Sequence, residues 1–347
     1  MVWGNIHRSA AIRTLVLWLC ASESLHAQAF TTLYLFGAGG NPDGGLVQGT
    51  DGNFYGTVLE GGTLNHGTIF KITPSGTLTT LHSFDFTDGI LPSGLVQASD
   101  GNFYGTTEQG GTNSCVYGGT NYGCGTLYKI TPSGMLTTLY NFCSQSGCTD
   151  GQIPTGPLVR STDGDLYGTT EAGGAGPCSS GCGIIFKITT TGTLTTLHSF
   201  DLTDGAAPNG GLIQVTDGNF YGTTYYGGTN NSNCNSGSCG PVTKITPTGT
   251  LTTLHSFDLT DGANPEAAMI QASDGNFYGT TSGTIFKITP TGTLTTLHTG
   301  VGANTLVQDT NGTFYGTTLH GGRIIYHYCG GSCGTIFSLS VGLGPGH

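Results

Sequence analysis

The residues best placed for chemistry in this chain are acidic, and they recur. Asp43, Asp88, Asp150, Asp204 and Asp261 each precede a glycine, and Asp85, Asp201 and Asp258 stand three residues before three of them. Clustered carboxylates and loop carbonyls suit a hard cation, so Asp88, Asp150, Asp204 and Asp261 are a candidate Ca²⁺ set. The competing role is structural, because aspartate before glycine caps a turn by accepting bonds from nearby backbone amides. Repetition favours capping, and Asp-x-x-Asp-Gly lacks the alternating oxygen spacing of an EF-hand loop. A second set breaks the repetition. Glu60, Glu108, Glu171, Tyr225, Tyr226 and His320 stand where otherwise similar segments diverge, and Tyr122, Arg323, Tyr326, His327 and Tyr328 add aromatic and basic character. Carboxylates beside aromatic rings can stack a sugar or hold a cation, and two carboxylates at the right separation can cleave a glycosidic bond.

Other reactive types recur too regularly to be catalytic. His82, His198, His255 and His298 sit in Leu-His-Ser-Phe or its equivalent, and Lys71, Lys129, Lys187, Lys244 and Lys287 in a Lys-Ile-Thr phrase. A catalytic histidine is needed once, so the histidines read as a structural slot and the lysines as solvated or edge-protecting side chains. The sequence contains no Gly-x-Ser-x-Gly elbow, no His-Glu-x-x-His and no phosphate loop.

The elements that position these residues follow from the repeat. Asp-Gly, once Asn-Gly, begins a phrase at Asp51, Asp100, Asp163, Asp217, Asp274 and Asn311, roughly 37 to 63 residues apart. Such periods indicate propellers, solenoids or arrays. Each unit holds four short runs rich in Thr, Ile, Leu, Phe and Tyr between glycine turns, the pattern of a four-stranded antiparallel meander. In the second unit the strands are expected at 94–98, 102–107, 125–131 and 135–142. The first three strands occur six times, but Leu-Thr-Thr-Leu follows them only five times; the missing fourth strand reads Phe-Thr-Thr-Leu-Tyr-Leu-Phe at 30–36. This predicts an all-β, six-bladed β-propeller over 30–341, closed by pairing of strand 30–36 with strand 334–339, and followed by a Gly-rich tail at 342–347. With 30–36 as an outer strand, the Leu-Val-Gln strand is innermost. All long loops then lie on one face, where binding usually resides.

Residues 1–29 differ in kind. Arg8 and Arg13 precede an apolar stretch from Leu15 to Ala21, and Ala27-Gln28-Ala29 is a small-x-small cleavage pattern, so a secretory signal peptide is expected. Cys20 follows Leu19, which is too large for a lipobox. No later apolar run approaches the roughly 20 residues that span a bilayer. Ten further cysteines form sequence-local pairs: Cys115 with Cys124, Cys143 with Cys148, Cys178 with Cys182, Cys234 with Cys239 and Cys329 with Cys333, all in variable loops. In an exported chain these read as disulfides. Zinc is disfavoured because four ligands must converge, and the pairs are expected on different blades. The net charge of −11 argues against nucleic acid or an anionic membrane as partner.

The phrases Asp-Gly-Asn-Phe-Tyr-Gly-Thr-Thr, Gly-Thr-Ile-Phe-Lys-Ile-Thr-Pro and Gly-Thr-Leu-Thr-Thr-Leu-His-Ser-Phe resemble the GloVer (Gloeobacter and Verrucomicrobia) repeat of choice-of-anchor bacterial surface proteins. The resemblance covers 30–339 and implies an exported bacterial protein, often held by a C-terminal sorting signal. The ending Gly342-Leu343-Gly344-Pro345-Gly346-His347 departs from that pattern. It supplies no catalytic residues. The expectation is a secreted or extracytoplasmic, monomeric binding or scaffolding module, at the cell surface or in the periplasm. Its loop face would meet a glycan, peptide or protein. The alternative is a secreted carbohydrate-active hydrolase or lyase using the acidic rim.

Overall fold

Each Asp-Gly turn is built by its own side chains. Asp51 accepts bonds from the Asn53 amide nitrogen at 3.1 Å, the Asn53 side-chain amide at 2.7 Å and the Tyr55 hydroxyl at 2.8 Å, while Gly52 takes φ +80°. The tyrosine-to-aspartate bond recurs from Tyr104 to Asp100, Tyr167 to Asp163, Tyr221 to Asp217 and Tyr278 to Asp274, at 2.7–3.0 Å. The turn therefore fixes where the second strand begins and which way its tyrosine points. That ring then crosses to the next repeat. Tyr55 stacks on Phe103 and Tyr167 on Phe220, with centroids 4.0 Å apart, and Tyr221 on Phe277 at 4.2 Å; Tyr278 meets Phe314 at 4.3 Å.

The computed structural model describes residues 32–37, 40–229, 234, 239–300, 302–318 and 334–343. They form a six-bladed β-propeller of antiparallel blades. The first blade runs Pro42–Gln48, Phe54–Val58, Thr68–Ile72 and Leu78–Ser83 in spatial order. The third runs Gln152–Arg160, Leu166–Ala172, Ile184–Ile188 and Leu194–Ser199. The second blade's strands are Phe103–Gln109, Thr126–Ile130 and Leu136–Asn141, preceded by two short stretches, Ile90–Pro92 and Val96–Gln97, that both pair with Phe103–Gln109. The first strands touch from blade to blade, since a Cβ on Gly211 would lie 3.5 Å from Pro157, which places them innermost as expected. Glutamines bind neighbours there: Gln97 accepts from the Thr50 amide at 3.0 Å, Gln214 from Thr162 at 3.1 Å and Gln308 from Ser273 at 3.0 Å. No helix among the described residues is long and apolar enough to cross a membrane.

Three of the five third-strand lysines are ion-paired. Lys187 pairs with Asp165 at 2.8 Å, Lys244 with Asp217 at 3.1 Å and Lys287 with Asp274 at 2.9 Å. The ladder places each opposite the tyrosine of its turn, Tyr167, Tyr221 and Tyr278. Burial pushes the carboxyls of Asp217 and Asp274 up, but hydrogen bonds from Asn219 or Asn276, the tyrosine and the lysine outweigh it and hold both down at about 2.

The seam departs from expectation. The sixth sheet has three strands, Ala303–Gln308, Phe314–Thr318 and Thr335–Leu339, and residues 32–37 carry no strand. The predicted pairing of 30–36 with 334–339 is thus not made among the described residues; residues 30 and 31 lie outside them. Accordingly Tyr315 is 40% exposed, whereas its five counterparts are at most 1% exposed, and Ile336 is 83% exposed. The N-terminal segment does take the place of an outer strand against the first blade. A Cβ on Gly76 would lie 2.7 Å from the Leu33 carbonyl, just as Gly134 faces Leu81 and Gly192 faces Leu139 at 2.9 and 3.0 Å. Phe36 meets Phe70 edge-on at 5.4 Å, matching Phe142 on Phe186 at 5.3 Å. The segment is therefore seated on the blade that follows it, and lacks the ladder to the blade it would complete.

Phe200 is 1% exposed in the core between the third and fourth blades, so Phe200→Ala is expected to lower stability by about 3–5 kcal/mol. Phe36→Ala, at a half-buried position, should cost about half as much, and equal losses in guanidinium titrations would contradict its partial seating. The Asp274 carboxyl has a lowered pKa in the fold, so its stabilisation is present above the ordinary value of 3.8 and disappears as pH falls through about 2. The stability gap between the parent and Asp274→Asn should close over that window. A gap unchanged down to pH about 2 would show that the carboxylate's charge is not what stabilises the turn.

Candidate functional site

The loop-entry aspartates are bound within their own blades. Asp88, Asp204 and Asp261 each lie 2.7 Å from the Nε2 atom of His82, His198 or His255, and each also accepts from the backbone amide of Asp85, Asp201 or Asp258. In the second blade Tyr140 replaces the histidine and donates to Asp150 at 2.7 Å, where the Ser144 hydroxyl and amide also donate. Burial comes first in pushing the Tyr140 phenol up to about 12, and the Asp150 carboxylate adds to it. The structure thus assigns His82, His198 and His255 to Asp88, Asp204 and Asp261, a pairing that the sequence conceals because the two types recur in separate phrases. Asp88, Asp150, Asp204 and Asp261 do not converge on a Ca²⁺ site. Among the described residues only Cys115, Cys143 and Cys148 bring three ligand atoms within 4.8 Å of one another. The Asp43 side chain lies outside the described residues.

A cleft opens on the loop face where the third blade meets the fourth, with a volume of about 350 Å³. Its first wall is the end of strand Leu166–Ala172. Strand alternation buries Thr170, which donates to the Ala172 carbonyl at 2.8 Å, and turns Glu171 into the cleft. The second wall is the loop closed by the Cys178–Cys182 disulfide. Its Ser180 carbonyl is held by the Gly173 amide at 2.7 Å and the Gln152 side chain at 3.0 Å. Gly181 is required there: it takes φ +76°, and a Cβ would lie 2.1 Å from the Gly173 carbonyl. The third wall comes from the fourth blade, where Ala206 and Tyr226 exchange two backbone bonds at 2.8 and 2.9 Å. A further bond, from the Ala207 amide to the Cys182 carbonyl at 2.9 Å, ties the two walls. Leu202 and Tyr226 remain 41% and 42% exposed at the rim.

The electrostatics of the cleft centre on Glu171. Desolvation by the surrounding walls raises its pKa above the ordinary carboxylate value. Tyr117 stands on the exposed hairpin Val116–Tyr117/Thr120–Asn121 of the second blade, within electrostatic reach of Glu171. Burial first, and then the Glu171 charge, raise the pKa of its phenol. The cleft offers one partly desolvated carboxyl, a serine and the ring of Tyr226, the donors, acceptors and ring face that a polyhydroxylated ligand requires.

Of the six rim residues predicted from sequence, Glu171 and Tyr226 come together. Tyr225 packs edge-on against Tyr226 at 4.5 Å, with its carbonyl accepting from Asn264. Glu60 lines a separate recess on the first blade with Tyr34, Phe36 and Ser83, and Glu108 is half-buried on the second. His320, Arg323, Tyr326, His327 and Tyr328 lie outside the described residues, as does the expected leader.

Four of the five predicted disulfides form: Cys115 bonds to Cys124, Cys143 to Cys148, Cys178 to Cys182 and Cys234 to Cys239. The last of these closes a loop of the fourth blade, and there Cys239 is buried at 1% exposure beside Val242 and Phe257, while Cys234 is half-buried. The Cys239 carbonyl also accepts from the Asn264 amide at 2.8 Å, which ties that loop to the entry of the fifth blade. The fifth predicted disulfide is not among them, because Cys329 and Cys333 both lie outside the described residues. The structure corrects one further expectation: Cys115–Cys124 and Cys143–Cys148 are neighbours, because the loop leaving the second blade folds over its 110–125 loop. Tyr117, Ser180 and Leu202 escaped sequence reasoning. Tyr117 carried a signal, as an aromatic residue inside a cysteine-closed insertion.

The sequence matches the Gloeobacter/Verrucomicrobia repeat over residues 23–117 and 114–282. No curated protein matches it. Among solved structures, a streptogramin B lyase aligns with TM-score 0.54 and 19% identity, over 88% of this chain and 84% of the lyase. The extracellular domain of a candidate one-component system from B. thetaiotaomicron aligns with TM-score 0.54 and 14% identity, over 83% of this chain and 35% of the other. A Dyadobacter fermentans protein of unknown function aligns with TM-score 0.50 and 11% identity, over 86% and 93% of the two chains. At these identities the likeness concerns the fold.

Glu171 in the fold has a raised pKa, so the carboxyl favours folding below its ordinary value and opposes it as pH rises through the folded value. Glu171→Gln should therefore raise the unfolding midpoint at neutral pH and leave it unchanged near pH 4. A variant less stable than the parent at pH 7 would contradict a desolvated carboxyl.

Proposed function

The chain belongs to the Gloeobacter/Verrucomicrobia repeat family, and from that premise we propose that it is an extracytoplasmic binding module whose loop face takes a glycan in the cleft between the third and fourth blades. The observation that carries this reading is the placement of the Glu171 carboxyl, Ser180 and the Tyr226 ring on the walls of one cleft braced by a disulfide. Sugar rings present an apolar face to aromatic side chains and hydroxyls to carboxylate and serine, so the mixed lining suits them better than a purely apolar or purely charged guest. Four disulfides in the loops favour an oxidising, extracytoplasmic setting.

Binding is preferred to hydrolysis because of the carboxyl count. A glycosidase acting through two carboxyl groups places them about 5–5.5 Å apart, or about 6.5–9.5 Å apart when inverting. Glu171 is the single acidic residue among the described residues that line the cleft.

The test is retention of the purified protein on a glycan array. Tyr226→Ala and Glu171→Gln should each weaken a retained interaction about tenfold, equivalent to about 1.4 kcal/mol. Retention indifferent to both substitutions, or no retention of a folded sample, would place the function elsewhere. Released product that disappears in Glu171→Gln would favour the hydrolase.

A further inference from the structure

Two disulfides meet beneath the hairpin that carries Tyr117. The Sγ atoms of Cys115, Cys143 and Cys148 all lie within 4.8 Å of one another, although Cys115 is bonded to Cys124 and Cys143 to Cys148. Accessibility differs sharply between the two. Cys115 and Cys124 are buried at 4% and 0% exposure, whereas Cys143 and Cys148 are half-buried and flank the exposed residues Ser144, Gln145, Ser146 and Gly147. A reductant from solvent can therefore reach Cys143–Cys148 and is shielded from Cys115–Cys124.

We propose that these disulfides form an exchange pair, in which a thiol released at Cys143 or Cys148 passes to Cys124 and so unlocks the Tyr117 hairpin. An external dithiol first reduces Cys143–Cys148 and is itself oxidised to its disulfide. The thiolate of Cys143 or Cys148 then forms a bond to Cys115 Sγ, the Cys115–Cys124 bond breaks, and Cys124 leaves as a thiolate that takes up the proton given up by the attacking thiol. The number of disulfides falls by one, in the first step only; the second step moves a bond. A side-chain rotation covers the remaining distance, because each attacking sulfur already neighbours Cys115.

The consequence follows from what Cys115–Cys124 closes. It ties the two ends of the segment holding Val116–Tyr117 and Thr120–Asn121, a hairpin of two short strands with exposed side chains. A hairpin this small is marginal without its staple. After exchange, Cys115 is tethered to the 143–148 loop and Cys124 is free, so the hairpin that carries Tyr117 loses its closure. The device thus links the redox state of a half-buried disulfide to the hairpin whose Tyr117 lies within electrostatic reach of Glu171. This consequence, though not the exchange itself, rests on the glycan-site reading.

The test uses the full chain with Cys143→Ser, which leaves a Cys148 thiol beside Cys115 and needs no added reductant. Alkylation under native conditions and peptide mapping should find label on Cys124 within about tenfold of that on Cys148, together with a Cys115–Cys148 cross-linked peptide. Label confined to Cys148 overturns the proposal. If the variant does not fold, the parent protein treated with limiting dithiothreitol serves the same purpose: Cys124 alkylated alongside Cys143 or Cys148 supports exchange, and label on Cys143 and Cys148 alone overturns it. Thiol mapping does not read glycan retention, so either reading can fail without the other.

Discussion

Everything in this fold hangs from a tyrosine that does two jobs. Its hydroxyl donates to the aspartate of the Asp-Gly turn, which pins the start of the second strand, and its ring lies buried against the next blade. A phenol is suited to this, having a polar tip that must be satisfied when buried and a ring that contributes large apolar area. Turn geometry and blade-to-blade packing are thereby coupled in one residue, so a chain with few charges and many glycines still specifies how blades stack. The lysine ion pairs reinforce the turns within their own blades, and the inner-strand glutamines bind across the junctions.

That coupling also explains the seam. Five of the six tyrosines find the next blade, and the sixth, Tyr315, is exposed together with Ile336 on the strand that lacks an outer partner. The N-terminal segment reproduces the contacts of an outer strand to the following blade through Leu33 and Phe36. A four-stranded blade has two kinds of contact to satisfy, its ladder and its face, and at the seam only the face contact is made among the described residues.

Because the junctions are secured by recurrent residues, the loop face is free to vary. The His–Asp pairs hold the entry loops, and the bonds from Ala207 to the Cys182 carbonyl and from Asn264 to the Cys239 carbonyl join adjacent blades. On that frame one cleft gathers Glu171 and Tyr226 from two adjacent blades. The partly desolvated carboxyl works against stability at neutral pH.

The blade count, strand order, inner and outer assignments and four disulfide pairings were legible from sequence, because each depends on contacts between residues close in the chain and repeats with it. The Asp-Gly-Asn-Phe-Tyr phrase carries its own turn, and Cys178 and Cys182 are four residues apart. Tertiary structure alone decided which irregular residues meet. Glu171 and Tyr226 lie together while Glu60 stands apart, the aspartates of the expected calcium set are consumed by histidines or a tyrosine of their own blades, and two disulfides expected on separate blades touch. Such encounters depend on how loops from neighbouring blades lean across a junction, and no periodicity in the chain encodes that lean, since it arises from the insertions that interrupt the period.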